Sequence, residues 1–232
     1  MKTIPECAIK FDSTPALEFD KMSTGTPPLP NGNTYWVVPL KFLAGEYPGD
    51  KDPVKARKKI KQFLAAGIRH FIDLTEPDDK MVPYAAILSE EARNSGITTT
   101  HQRFPIVDNS VPSDSDHLAE ILFAIDGRIR EGGPVYLHCW GGVGRTGLVV
   151  ACWLQEHGRS PDDSLAELSA KWSTVEKIFR KPESPETSVQ VSWIKSWSQR
   201  RRSVQRLLVR ERLPRRAAGI SHWRRAWYHL GV

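Results

Sequence analysis

Short apolar runs alternate along the chain with segments whose apolar positions recur at helical spacing. Residues 35–42 (YWVVPLKF) read as a strand, with Pro39 suiting an edge position. Asp52–Ala66 reads as a helix with apolar Val54, Ile60, Phe63 and Leu64, stopped by Gly67. Strands are expected at Ile68–Leu74, Ile97–Phe104 and Val135–His138. Helices are expected at Pro83–Asn94, ending at Gly96, and at Ser113–Arg130, with Ser113 as its N-cap. Further helices fall at Arg145–His157, near 162–171 and at 186–213. Strands alternating with helices imply an α/β fold, a central and mostly parallel sheet flanked by helices on both faces. In such sheets a ligand site lies beyond the carboxyl ends of the strands.

Composition changes this picture little: 232 residues, 40% hydrophobic and 26% charged, are ordinary for a globular protein with a sizeable core. Three cysteines suggest a reducing compartment, and the first residues (MKTIPECAIKFD) show no secretory h-region, so a cytoplasmic location is expected. The longest apolar run, Leu148–Leu154, is far short of a membrane span. Charge divides the chain more sharply. The formal net charge is +6, but residues 200–232 hold ten Arg and one acid, a net +9, which leaves 6 − 9 = −3 for residues 1–199. Three segments result: an N-terminal piece and Pro/Gly-rich connector (1–34), a body (35–199) and an Arg-rich tail (200–232). The tail can attract nucleic acid, anionic lipid or an acidic partner, or is a solvated face; it carries no nucleic-acid motif.

Chemistry concentrates in residues 138–147, HCWGGVGRTG, where a strand runs into a Gly-rich loop and then a helix. The strand delivers Cys139 to a loop whose backbone N–H groups can converge, facing the positive end of a helix dipole. Gly141, Gly142 and Gly144 permit left-handed backbone and close approach to an anion. Arg145 adds a planar fork for two phosphate oxygens. The same cradle favours a thiolate at Cys139.

This loop resembles the signature of the cysteine-dependent protein tyrosine phosphatase superfamily, H-C-x-x-G-x-x-R-[S/T], and matches it completely. The resemblance implies a compact dual-specificity member with no cofactor. Cys139 would be the nucleophile and Arg145 the group that binds substrate and the charged transition state. Thr146 would donate a hydroxyl to the departing sulfur, and His138 would orient the loop. Gly141, Gly142, Val143 and Gly144 would line the phosphate site, and Trp140 either lines its entrance or packs against the sheet. Family members keep an Asp about thirty residues upstream, and Asp108, in FPIVDNS, lies 31 positions before Cys139; it is assigned the acid/base role. Asp114 and Asp116 read instead as first-turn carboxylates, and Asp73 as a structural strand-end residue. The segments LAGEYPG (43–49) and SPETSVQ (184–190) also resemble the family, and Gln190 either faces the site and positions water or is a cap. Cys152 reads as core, and the histidines show no ligand spacing, so no metal is expected.

The implied substrate is a phosphoprotein, carrying phosphotyrosine and, in a shallow pocket, phosphoserine or phosphothreonine. The alternatives are a phosphoinositide or RNA 5′-phosphate phosphatase, or a module that binds phosphate without turnover.

Overall fold

A computed structural model describes residues 27–211, with side chains through residue 201. Five strands, β1 Thr34–Val38, β2 Phe42–Gly45, β3 His70–Asp73, β4 Thr100–Arg103 and β5 Val135–His138, form one sheet in the order β1-β2-β5-β3-β4. Only β1 and β2 pair antiparallel; β2–β5, β5–β3 and β3–β4 are parallel. The helices are α1 Pro53–Ala65, α2 Ala85–Asn94, α3 Ser115–Glu131, α4 Gly144–Glu156, α5 Pro161–Trp172 and α6 Ser188–Glu211, with a 3-10 turn at Glu176–Phe179.

Strand alternation divides the core into two layers. On β5, Tyr136 points into a cluster with Ile60, Phe63, Leu88 and Phe71, under α1 and α2. Its neighbours Val135 and Leu137 point the other way, into a larger cluster with Leu118, Ile121, Val149, Leu168 and Ile194 from α3 to α6. The expected α/β fold, with helices on both faces, is therefore present. Helix α4 lies within the larger layer: every residue from Gly144 to Leu154 is buried. This explains why its sequence is almost wholly apolar after Thr146.

Two local expectations are corrected. Residues 35–42 are not one strand: Pro39, Leu40 and Lys41 form a turn, with Leu40 at φ 59° and Lys41 N donating to Val38 O at 3.1 Å. The segment is a hairpin, and β1 is the sheet edge. Ser113 is not the cap of α3. Asp114 is, accepting from His117 N at 2.8 Å, because a carboxylate one residue later reaches the free first-turn amide. By contrast Asp52 caps α1 ahead of Pro53, and Gly67 closes it at φ 88°. Cys7, Trp223 and Trp227 lie outside the described residues, as does most of the Arg-rich segment 200–232. No helix among the described residues is long and apolar enough to cross a membrane.

Candidate active site

The carboxyl end of β5 delivers His138 and Cys139 to a loop that α4 closes at Gly144. Cys139 is 3% exposed, and its Sγ accepts a hydrogen bond from Gly142 N at 3.3 Å. Gly142 has φ 75°, and a Cβ there would collide with the Gly45 carbonyl at the end of β2. Only glycine fits both demands. At Gly144 a Cβ would come within 2.9 Å of the Gln190 side chain, so this glycine lets α6 close over the start of α4. The loop's carbonyls are engaged from outside. Trp140 O accepts from Tyr47 N (3.0 Å), Gly141 O from Lys177 Nζ (2.9 Å) and Val143 O from Ser184 Oγ (2.8 Å).

Arg145, in the first turn of α4, is almost fully buried. Its Nη1 is anchored by Asp79 Oδ2 at 2.8 Å and by the carbonyls of Ile106 (3.0 Å) and Leu74 (3.5 Å). The opposite edge is different: Nε and Nη2 are buried and make no hydrogen bond, although Asp108 Oδ1 lies 2.9 Å from Nη2 in an unaligned contact. Two parallel donors on one guanidinium edge, neither spent on a hydrogen bond, match two oxygens of a phosphoryl group. Burial works against the Arg145 charge, but Cys139, Asp79 and Asp108 together outweigh it and hold its pKa up.

Behind the loop, His138 is completely buried. Its Nε2 meets Tyr84 Oη at 2.7 Å, and its Nδ1 lies 3.3 Å from Cys139 O and 3.8 Å from Asp73 Oδ1. Burial drives its pKa down to about 4, against the pull of Asp73, so the ring is neutral at pH 7. Asp73 accepts from Thr75 N, Thr75 Oγ1 and Arg103, with His101 at 3.3 Å. Burial pushes that carboxyl up, but hydrogen bonds from His101 and Thr75 hold it well below the usual range. Asp73 and His138 thus brace the loop from beneath.

Most of the residues picked from sequence meet at this loop. Asp108 follows β4 and, with a side chain 47% exposed, reaches Arg145 from the solvent side. Trp140 is 51% exposed beside Cys139, so it flanks the mouth and does not pack on the sheet. The Thr146 hydroxyl is buried but has no hydrogen-bond partner, so the expected bond to sulfur is not formed in this structure. Gln190 is fully buried. Its Oε1 accepts from Glu186 N and Thr187 N, and its Nε2 donates to Ser110 O at 2.9 Å. As the third residue of α6 it exchanges hydrogen bonds with Thr187 just before the helix, and it is also a tie to the segment carrying Asp108.

Two residues at the site had no sequence assignment. Asp79 lies beyond the end of β3, and no family spacing of the kind that picked out Asp108 marks it. Lys177 carries no comparable signal, since only the tertiary fold brings its 3-10 turn to the loop. Cys152 is buried in α4, where burial pushes its thiol well up, consistent with a core role. Among the described residues, no group of three or more His, Cys, Asp or Glu is arranged to hold a metal ion.

This geometry agrees with comparisons to known proteins. The model of a family described as the Swiss Army Knife protein, DSP-PTPase phosphatase domain (PTP-SAK), matches residues 31–200. A protein of Invertebrate iridescent virus 3 named as a tyrosine phosphatase, 067L, is 32% identical over 117 residues; the match covers 49% of this chain and 42% of that protein. The chain thus spans less than half the length of that relative. Among solved structures, a mutant form of Tk-PTP shares 25% identity with a TM-score of 0.55, covering 75% of this chain and 99% of that one. Kinase associated phosphatase shares 21% identity with a TM-score of 0.54, covering 68% and 85%. At that identity the second likeness speaks to the fold. With a family model matched over most of its length, the chain belongs to the dual-specificity group of the cysteine-dependent protein tyrosine phosphatase superfamily.

Proposed function

We propose that the chain hydrolyses phosphomonoesters on proteins, phosphotyrosine and also phosphoserine or phosphothreonine, through a phosphocysteine intermediate. One observation carries this reading. The Nε/Nη2 edge of Arg145, which makes no hydrogen bond and is met at Nη2 by Asp108, is buried beside the loop whose Gly142 amide points at Cys139 Sγ.

In the first step the Cys139 thiolate attacks phosphorus. The S–P bond forms as the P–O bond to the leaving group breaks, and that oxygen takes the proton of the Asp108 carboxylic acid. Arg145 and the loop amides hold the equatorial oxygens, where charge is spread in the transition state. In the second step a water attacks phosphorus, the Asp108 carboxylate takes its proton, and the S–P bond breaks to release the thiolate. The unpartnered Thr146 hydroxyl is the donor available to that sulfur. Trp140 supplies an exposed aromatic face at the mouth, suited to an aryl phosphate. A cytoplasmic setting, drawn from cysteine usage, belongs to the same reading.

The test is hydrolysis of p-nitrophenyl phosphate in EDTA with reductant, for the wild type beside Cys139→Ser. Turnover by the wild type alone is expected. A phosphotyrosine peptide should then be a better substrate than a phosphoinositide or an RNA 5′-phosphate. No turnover by either protein would overturn the reading in favour of a phosphate-binding module.

A further inference from the structure

The peptide joining Gly141 to Gly142 is held from both sides. Its N–H, on Gly142, points inward to Cys139 Sγ at 3.3 Å. Its C=O, on Gly141, points outward and accepts from Lys177 Nζ at 2.9 Å. A trans peptide carries N–H and C=O on opposite sides, so fixing the carbonyl outside fixes the amide inside. Lys177 Nζ also pairs with Glu46 Oε2 at 2.6 Å, and both side chains are about four-fifths buried, so the ammonium has little freedom to leave.

The anchoring continues on either side. Glu46 follows β2, where Gly45 forms the wall against Gly142. The 3-10 turn carrying Lys177 is tied to the connector before β1, Glu176 N donating to Gly32 O at 2.8 Å. Such a hold has a physical purpose here. With glycine on both sides of the peptide, no Cβ opposes a rotation of its plane by half a turn. The rotated peptide would remove one anion-binding N–H and aim a carbonyl oxygen at the sulfur and at any phosphate.

We infer that Lys177, braced by Glu46, is a latch that holds the Gly141–Gly142 peptide in its anion-binding orientation, a positioning role for the phosphate cradle. The inference rests on the phosphatase reading for its kinetic consequences, but its binding consequence stands alone.

The test compares wild type, Lys177→Met, Lys177→Arg and Glu46→Gln. Each is assayed for kcat and KM on p-nitrophenyl phosphate and for calorimetric affinity toward inorganic phosphate. Removing one preorganised N–H donor typically costs about 10²–10³ in rate, and loss of the latch makes that donor intermittent. Lys177→Met should therefore weaken phosphate binding and lower kcat/KM by roughly 10- to 100-fold. Lys177→Arg keeps a cation and donors and should recover most of both, while Glu46→Gln falls between. Glu46→Gln leaves Lys177 in place, so it carries the test should Lys177→Met not fold. Phosphate affinity within twofold of wild type in both variants would overturn the latch, as would equal losses in Lys177→Met and Lys177→Arg. A wild type that binds phosphate but turns nothing over would overturn the phosphatase reading and leave the latch to be judged by affinity alone.

Discussion

The loop at 139–144 is held by Tyr47, Lys177, Ser184 and the Gly45 wall, and its cysteine is buried. The segment at 105–112 is tied at its ends, Ile106 N to Leu74 O at 3.0 Å and Ser110 O from Gln190 at 2.9 Å. Between those ties Asp108 stands half in solvent, its carboxylate meeting Asn109 Nδ2 at 3.2 Å and the unaligned edge of Arg145. Each arrangement suits its chemistry. A nucleophile and its phosphate cradle must be aligned before reaction, because misplacement by about 1 Å can cost 10²-fold. An acid must meet leaving oxygens of different shapes and exchange its proton with water, which needs exposure.

Replacing the acid tests that contrast most directly. Asp108→Asn should lower kcat by roughly 10²–10⁴ for alkyl and phenyl phosphates, and less for p-nitrophenyl phosphate, whose leaving group needs little protonation. Equal losses across leaving groups would mean that Asp108 positions Arg145 and transfers no proton.

A second test concerns the buried floor. His138, with a pKa near 4 in the fold and about 6.5 unfolded, binds fewer protons in the native state across that interval. Its contribution is therefore complete above about pH 6.5 and is lost as pH falls toward 4. The expected loss is about 3 kcal/mol, read from urea unfolding at several pH values, and His138→Gln should flatten the slope. An unchanged slope would place the ring's neutrality elsewhere.

The smallest effect is expected at Asp79. Asp79→Ala frees the Arg145 Nη1 edge and should lower kcat/KM by about tenfold, following the value of one charge-assisted hydrogen bond. Asp79→Asn keeps an acceptor in place and should lose less. An equal loss in Asn and in Ala would show that charge, not aim, is what Asp79 supplies.

The nucleophile loop was legible because its own parts are local: strand, glycines and helix start lie within ten residues. The apolar continuity of YWVVPLKF concealed the turn at Pro39, since Leu40 and Phe42 look like strand residues even where the chain reverses. Asp79 escaped because its role comes from sheet order, β3 beside β5, which no single segment states. Lys177 lies 38 positions after Cys139, and nothing near it in sequence marks the carbonyl it meets. Gln190 was half legible. Its spacing suited both of the readings given to it, and the structure pairs it with Thr187 at the start of α6 while it also ties down Ser110.

Strand β5 lies between β2 and β3, so the loops leaving its two neighbours frame opposite sides of one cradle. The β2 side bears Glu46 and governs the glycine peptide; the β3 side bears Asp79 and governs the guanidinium. For protein engineering these are two dials that act on different groups. Asp79 bears on how the arginine is aimed and Glu46 on how the glycine peptide is held, while Tyr84, also beyond β3, keeps its bond to His138 under the loop.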